Sequence, residues 1–332
     1  MAHKIIQNLR TIAKATAIFF TYIIICMPKI NAQVADYAQV LNNYVYLNPS
    51  FVGMTTCPHV FTSYRNKYVS QADYSSTYLS FDMGLKNYNA NMGVSLLHDV
   101  QNNAFRETEI LGIYAHTFRL KKKLYLNASL AAGYVYGATD YSNFVFPDML
   151  DVNQDEIGTS GESFEWVKRH DFNSEFGLLL FNDDFYAGMT IKNLQGNFTA
   201  ANENENYFPR IYSFHGMTRI STTKAFLLRY LIWFYPHMNI VIGGSSSYTQ
   251  LGLILQKWMI QAGGAYRQNF AGNENSFVFF VGVVEKKFRF AYNCDLTRNS
   301  IKQFDTHEVS LSYQFDCREK KKKFEAVKAP TF

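Results

Sequence analysis

The sequence is poor in charge of either sign. Lys, Arg, Asp and Glu together make up 18% of the 332 residues, against about a quarter in an average soluble domain. The formal charge is +5, but four of the 32 basic residues and no acidic residue precede position 33, which leaves 28 basic against 27 acidic residues. A nearly neutral chain without a basic stripe is not typical of a protein that binds nucleic acid. The aromatic share of 17% is too high for a disordered chain.

The first 32 residues are predicted to be a secretory signal peptide. Residues 1–14 are basic, residues 15–27 form an apolar run of 13 residues, and Ala32 supplies a small residue before the cut. This is the layout of a signal peptide, and the run is too short to span a bilayer comfortably. The alternatives are an N-terminal membrane anchor and a lipoprotein acylated at Cys26, which lacks the expected small residue before it. The mature chain is predicted to begin at Gln33 and to leave the cytoplasm.

No long hydrophobic run follows the signal. The best candidate, 225–235, has 11 residues and contains Arg229, far short of the 18 or so that a transmembrane helix requires. Transmembrane helices are therefore not predicted. The apolar residues alternate instead, as in 123–136 and 307–315, where one face is large and aromatic and the other small and polar. A period of two predicts β-strands.

The connections between the predicted strands alternate in length. Every second one is a tight polar turn, and most of the others are longer, up to the 30 residues of 140–169. This alternation, with an even number of strands of about ten residues, is typical of an outer-membrane β-barrel, which leaves no sheet edge unpaired. A secreted soluble all-β domain is the alternative.

The predicted fold is all-β, a transmembrane antiparallel β-barrel of about 14 strands if 238–255 is one strand rather than two. The strands are predicted at 59–68, 74–84, 90–98, 106–119, 123–139, 170–181, 184–193, 209–220, 224–235, 238–255, 258–267, 276–285, 288–296 and 306–316.

The barrel is predicted to occupy 59–316 as one domain of a Gram-negative outer membrane, with membrane lipid as a partner. Residues 33–58 precede it as a periplasmic cap or a plug of the lumen, and residues 317–332 follow it as a basic tail. In such barrels the tight turns face the periplasm. Both chain ends share that side, so the tail is expected in the periplasm and the long loop 140–169 outside.

The opening of the mature chain resembles a known family. Residues 44–53 read Tyr-Val-Tyr-Leu-Asn-Pro-Ser-Phe-Val-Gly, and residues 64–68 read Tyr-Arg-Asn-Lys-Tyr. They are similar to the Leu-Asn-Pro-Ala-x-x-Gly-like motif and the following Tyr-Arg-x-x-Trp of the PorP/SprF family, outer-membrane proteins of the type IX secretion system in Bacteroidota. Further matches follow in order at 91–95, 98–99, 133–136, 171–173 and 307–313. Together they cover nearly all of the mature chain.

The resemblance implies a non-enzymatic role and no cofactor. Family members support export of proteins that carry a C-terminal secretion domain, in some cases surface adhesins used in gliding, and act with a periplasmic ring of partner proteins and lipoproteins. Two departures stand out. Tyr68 replaces a common Trp, an exchange that an aromatic residue at a membrane interface tolerates. The final Ala-Pro-Thr-Phe lacks the Cys that family tails often have before the Pro, which removes a partner for Cys317.

No catalytic constellation is apparent, and the protein is predicted not to be an enzyme. A hydrolase needs a nucleophile with a nearby base, and the sequence has no Gly-x-Ser-x-Gly. Polar residues are expected at strand ends in any case, because these lie at the lipid–water boundary. Three His–carboxylate pairs lie at such ends, His98-Asp99, His170-Asp171 and His307-Glu308.

An acidic stretch in the longest loop partly matches a calcium site. Asp151, Asn153, Asp155 and Glu162 match positions 1, 3, 5 and 12 of an EF-hand loop. The sixth position is Glu156 rather than the Gly that the sharp turn requires, and no flanking helices are predicted. A solvated acidic loop is the favoured interpretation, with calcium binding as a weak alternative.

A passive porin or ligand-binding channel is the main alternative function. Arg65 and Arg267 each follow a Tyr that the alternation places outward, so both Arg side chains are predicted to face the lumen. A charged lumen suits an open channel and a plugged barrel equally.

The mature chain has three Cys, an odd number, in an oxidising compartment. Cys57 lies two residues before the first predicted strand and Cys317 one residue after the last. Closure of a barrel makes these strands neighbours, so a Cys57–Cys317 disulfide is predicted, with Cys294 unpaired.

The tail carries the basic run Lys320, Lys321, Lys322 and Lys323. Such a run is interpreted either as a solvated tail or as a periplasmic segment that docks a partner. Nucleic acid is absent from that compartment and is not an expected partner.

Overall fold

The structure is a computed structural model that describes residues 43–55, 57–67, 74–85, 89–102, 104–140, 149, 167–196, 209–221, 232–243, 247–270, 275–297 and 306–316. A short N-terminal segment contains helix α1 (Tyr44–Leu47) and a 3₁₀ turn (Pro49–Phe51). The strands are β1 (His59–Lys67), β2 (Tyr74–Leu85), β3 (Ala90–Gln101), β4 (Phe105–Lys121), β5 (Leu124–Thr139), β6 (Val167–Phe181), β7 (Phe185–Lys192), β8 (Ile211–Thr218, continued by Ile220–Ser221), β9 (Trp233–Ile242), β10 (Tyr248–Lys257), β11 (Ile260–Asn269), β12 (Asn275–Glu285), β13 (Phe288–Thr297) and β14 (Thr306–Gln314).

The 14 strands form one closed antiparallel barrel. Each strand pairs with the next along the chain, and β14 pairs with β1 from His59 opposite Gln314 to Lys67 opposite Thr306. Closure leaves no edge strand, which would expose unpaired backbone groups. The predicted β-barrel fold is confirmed. Within the described part of the chain, no helix is both long and apolar enough to cross a membrane.

Residues 238–255 belong to two strands rather than one, the alternative that the sequence left open, and the predicted turn at Pro236-His237 is wrong. Of the strand predicted at 224–235, residues 224–231 lie outside the described residues. The described chain forms β9 and β10 instead, with a break at Gly243, whose φ of 152° suits glycine. The predicted turn at Pro236 lies inside β9, opposite Leu253 of β10. Proline fits there because the pairing of β9 with β8 stops at His237 and resumes at Phe234, so the ladder needs no N–H from Pro236. The count of 14 is unchanged, because the strand boundary lies after Ile242 rather than at Pro236.

The two faces of the barrel wall differ in polarity. Large apolar side chains face outward, including Tyr64, Leu130 and Phe277, which are 51%, 59% and 53% exposed. Their neighbours along the strands face the lumen and are often polar. Arg65 and Ser129, for example, are each 2% exposed. An apolar exterior around a polar interior is the arrangement of a barrel surrounded by lipid.

Candidate functional site

The N-terminal segment lies inside the barrel. We call residues 43–55 the plug, the end of the barrel with the tight turns after β4, β6, β10 and β12 the turn end, and the opposite end the loop end. In the plug Asn43, Asn48, Ser50 and Val52 are at most 1% exposed. The plug fills the half of the lumen nearer the turn end, because its contacts fall on the parts of the strands near those turns.

Asn48 holds the plug to two adjacent strands. Its Nδ2 donates to the backbone oxygens of Leu178 on β6 at 3.0 Å and Met189 on β7 at 3.1 Å. The same nitrogen lies 3.3 Å from Nε2 of His215 on β8, and Oδ1 accepts from the N–H of Ser50 at 2.8 Å. The last bond caps the 3₁₀ turn, which begins with Pro49, so one side chain shapes the plug and anchors it.

Two glycines of the wall make room for Asn48. A Cβ at Gly177 would lie 2.2 Å from Asn48 Oδ1 and 2.7 Å from the hydroxyl oxygens of Ser50 and Ser129. A Cβ at Gly188 would first meet the imidazole of His215 and would lie 3.0 Å from Asn48 Nδ2. A larger side chain at Gly177 would therefore displace the plug, whereas one at Gly188 would first displace His215.

The rest of the plug is bonded to β5 and β2. Ser50 Oγ and Ser129 Oγ are 2.8 Å apart, and Asn127 Nδ2 donates to the backbone oxygen of Ser50 at 2.5 Å. Beyond the 3₁₀ turn, the N–H of Gly53 donates to Asp82 Oδ2 at 2.8 Å. Gly53 has a φ of 71°, the left-handed region that glycine adopts readily.

Apolar packing surrounds these hydrogen bonds. The ring of Phe51 lies edge-on to Tyr186 with centroids 5.0 Å apart. Burial raises the pKa of the Tyr44 phenol, and Arg289 donates to its oxygen at 3.3 Å. The lumenal cluster around Phe51 comprises Leu179, Phe181, Tyr186, Met217, Tyr235, Ile254, Phe280 and Ala291.

Towards the loop end the lumen becomes charged. Arg267 Nη1 lies 3.7 Å and Arg65 Nη2 3.9 Å from Asp295 Oδ2. Arg267 also donates twice to Gln250 Oε1, at 3.1 and 2.8 Å, and stacks over the ring of Tyr248. The four polar members are between 1% and 5% exposed. The predicted lumenal position of both Arg side chains agrees with this arrangement, and the charges are packed together rather than solvated.

A second polar cluster follows the long strands β4 to β6. Arg169 contacts Glu107 at 2.8 Å and Asp171 at 2.6 Å. Nearer the plug, Lys192 Nζ lies 3.8 Å from Glu175 and 3.5 Å from the ring centre of Tyr46. Tyr46 thus links the plug to the charged part of the lumen nearer the loop end.

The His–carboxylate pairs do not form catalytic dyads. His98 bonds to Thr108 at 2.9 Å on the outer face, while its neighbour Asp99 is buried in the lumen. His307 contacts the hydroxyl of Tyr292 at 2.6 Å, whereas Glu308 is 1% exposed. In the third pair His170 contacts Tyr134, whereas Asp171 contacts Arg169. Alternation along a strand puts adjacent side chains on opposite faces, so the wall divides each of these sequence-adjacent pairs.

The sequence-predicted site residues are described only in part. The calcium candidates Asp151, Asn153, Asp155 and Glu162, the basic run Lys320, Lys321, Lys322 and Lys323, and Cys317 lie outside the described residues. Cys57 is disulfide-bonded, and Cys294 is a free thiol on β13. Next to Cys57, the N–H of Phe315 donates to the oxygen of Pro58 at 2.9 Å, which continues the pairing of β14 with β1.

Sequence reasoning left open whether the N-terminal segment caps or plugs the barrel, and it missed Asn48 as the anchor. A local signal was present, because Asn-Pro favours the start of a turn. The lumenal glycines could not be recognised, since nothing local distinguishes Gly177 from a glycine that faces lipid.

Comparison with known proteins gives the family. The family described as "Type IX secretion system membrane protein PorP/SprF" matches residues 30–313. Among curated proteins, none matches the sequence. Solved barrels are similar at low identity. Omp33 of Acinetobacter baumannii has 7% identity and a TM-score of 0.42, covering 79% of this chain and 100% of its own.

The CymD monoaromatic hydrocarbon channel has 10% identity and a TM-score of 0.45, covering 85% of this chain and 95% of its own. A FadL homologue of Pseudomonas aeruginosa has 9% identity and a TM-score of 0.43, covering 78% and 90%. Similarity at this level says nothing about what passes through the barrel. The family match, in contrast, spans the plug and the barrel from β1 to residue 313 in β14. The chain belongs to the PorP/SprF family of type IX secretion system membrane proteins, which are outer-membrane β-barrels.

Proposed function

We propose that this protein is a plugged, non-enzymatic scaffold of the secretion machine, which docks to periplasmic ring partners and supports export of cargo with C-terminal secretion domains. Adhesin export for gliding falls within the same role. The plug is the observation that carries the proposal. A lumen closed by buried, hydrogen-bonded backbone is suited to holding partners at the membrane rather than to passing solutes.

The passive channel is less well supported. A porin keeps a water-filled lumen, whereas here Arg65, Gln250 and Arg267 are at most 5% exposed and bonded to neighbours on the wall. The plug adds a second obstruction nearer the turn end. Catalysis also lacks support, because the wall separates His98 from Asp99 and His307 from Glu308, and the one contact given between His59 and Asp82, at 3.0 Å, has no nucleophile named beside it.

The tail is the proposed docking segment. Tight turns face the periplasm in outer-membrane barrels, and the last strand ends at the turn end, so the tail begins on the periplasmic side. Residues 317–332 carry six basic and two acidic side chains. Because Lys or Arg at the bilayer midplane costs roughly 2–4 kcal/mol, this charge favours the aqueous side and an acidic partner surface.

The test is deletion of residues 318–332, which spares Cys317. We expect a normal amount of heat-modifiable barrel together with reduced cargo in the medium. A matched variant with Lys320 to Lys323 replaced by Gln keeps the length and removes four charges. Unchanged export in both variants would mean that the tail is merely solvated. Loss of the barrel itself would assign the tail to assembly and leave docking unsupported.

A further inference from the structure

Asp99 on β3 is a buried acid with which no cation of the described chain forms an ion pair. It faces the lumen, is 7% exposed, and its Oδ1 makes no hydrogen bond within the described chain. The positive charges that act on it from a distance are those of Arg65 and Lys192, and these pair with Asp295 and Glu175 instead. A buried charge without a partner is costly, so a positive charge from elsewhere is expected at this place.

Two more oxygen-bearing side chains lie beside Asp99 on the lumenal face. Ser76 of β2 and Glu107 of β4 are its direct partners in the two ladders, on strands about 4.8 Å away, and both act on its carboxylate. Ser76 is 0% exposed, and its Oγ has no hydrogen bond of normal geometry within the described residues. The large majority of buried polar side-chain atoms are hydrogen-bonded. Two adjacent strands thus present two unsatisfied oxygens, Ser76 Oγ and Asp99 Oδ1, at one place.

The charge around Asp99 is negative overall. Arg169 of β6 reaches Glu107 across Gly137 of β5, where a Cβ would lie 3.4 Å from the Nη2 of Arg169. The guanidinium contacts Glu107 at 2.8 Å and Asp171 at 2.6 Å. With Asp99 there are three carboxylates against one guanidinium, which leaves a net charge of −2. The groups on either side do not offset this charge: Lys192 faces Glu109 and Glu175, and Arg65 and Arg267 face Asp295 and Glu308.

We infer that Asp99, Ser76 and Glu107 bind a calcium ion in the lumen, at a site separate from the proposed docking role of the tail. Carboxylate oxygens and water are among the main ligands of calcium, a hydroxyl adds a neutral oxygen, and a dication balances the negative charge. Glu107 contributes the oxygen that does not bond to Arg169, which contacts Oε2. Within the described chain no group of three or more His, Cys, Asp or Glu side chains is placed to hold a metal, so water completes the coordination.

Calcium fits these ligands better than magnesium. The three side chains are fixed on adjacent strands of the wall, which spreads their oxygens and prevents an ideal octahedron. Calcium accepts irregular coordination at about 2.3–2.6 Å, whereas magnesium demands nearly ideal geometry at about 2.0–2.1 Å. A bound ion joins β2, β3 and β4 in the half of the lumen nearer the loop end, beyond the plug, so its main effect is expected on the stability of the barrel.

The test compares the full chain, purified from outer membranes in detergent, with calcium chloride and with EDTA. In the wild type we expect calcium binding in a calorimetric titration and a higher temperature of the heat-induced mobility shift when calcium is present. Asp99→Asn keeps the shape of the side chain and removes its charge, so it should lower the calcium affinity at least about tenfold. In EDTA the same variant should shift at a higher temperature than the wild type, because it no longer buries an unpaired charge.

Two further variants serve as controls. Glu285→Gln removes one negative charge from an exposed position at the turn end and should bind calcium like the wild type. Asp151→Asn combined with Asp155→Asn removes two carboxylates of the acidic stretch in the longest predicted loop and should also leave the binding unchanged.

The inference is overturned if calcium neither binds to the wild type nor raises its transition temperature, or if Asp99→Asn binds calcium as tightly as the wild type does. It is also overturned if the variant with Asp151 and Asp155 replaced loses the binding, since the ion then belongs to that loop. If Asp99→Asn does not form a heat-modifiable barrel, Ser76→Ala takes its place. Weaker calcium binding by an intact Ser76→Ala barrel supports the lumenal site, and unchanged binding refutes it.

Discussion

At the residue scale, Asn48 both caps the 3₁₀ turn of the plug and bonds the plug to β6 and β7. Asn48→Ala would leave the oxygens of Leu178 and Met189 without this donor and remove the cap of the 3₁₀ turn. Each buried group left unpaired costs about 1–3 kcal/mol, so we expect a loss of about 2–4 kcal/mol and a clearly lower temperature for the heat-induced mobility shift on gels. Ser50→Ala, which removes only the bond to Ser129, should cost about 1 kcal/mol. Equal transition temperatures for wild type and Asn48→Ala would show that the plug does not stabilise the barrel.

Also at the residue scale, the pairing of Cys57 with Cys317 remains a prediction. The ladder of β1 and β14 extends to the Pro58–Phe315 bond, so both Cys belong to chain segments that leave the same seam. A bridge across this seam would close nearly the whole barrel into one covalent loop, worth about 5 kcal/mol in a chain-entropy model. Non-reducing peptide mapping should recover a peptide that contains both residues, and reduction should lower the heat-shift temperature. Recovery of alkylated Cys57, or an equal effect of Cys294→Ser on stability, would refute the pairing.

At the scale of elements, the plug is a separable part of the molecule. Gly177→Leu would direct its side chain into the space of Asn48, Ser50 and Ser129 and should expel the plug while the strands remain paired. We expect discrete conductance steps in planar bilayers from this variant and almost none from the wild type. Gly112→Leu is the control, because its outward Cβ would meet only one backbone oxygen, at 3.8 Å. Similar conductance of all three proteins would mean that the plug does not seal the lumen.

Also at the scale of elements, some strands could be predicted from the sequence and others could not. Strands with strict alternation, such as β5 and β14, were predicted almost to the residue, because lipid on one side and a polar lumen on the other impose the period of two. The strand boundaries between β8 and β10 were predicted wrongly, because Pro236 is a strong turn signal. Pro236 is tolerated within β9 only because the pairing of β9 with β8 is interrupted at Arg219. The anchoring of the plug was missed for a different reason. Contacts between residues 130 and 141 positions apart have no trace in local patterns.

At the scale of the whole molecule, the plug constrains how the chain matures. Asn43 is buried in the lumen, only ten residues after the predicted mature terminus Gln33. An uncleaved chain would keep the 13-residue apolar run, which ends at Met27, within 16 residues of Asn43. Partition of that run into a bilayer would restrain the plug. Cleavage and plugging are thus expected to depend on each other.

The last prediction follows from this dependence. Intact mass of the protein taken from outer membranes should correspond to a chain that begins at Gln33, because Ala32 provides the small residue that signal cleavage requires. Ala32→Arg should block cleavage, so that a precursor accumulates and the fraction of heat-modifiable barrel falls. Asn31→Ala, the neighbouring change that preserves a small residue at the cut, should behave like the wild type. A wild-type mass that includes Met1 would end the signal-peptide interpretation. A precursor that forms the heat-modifiable barrel in normal amount would show that the plug enters the lumen without cleavage.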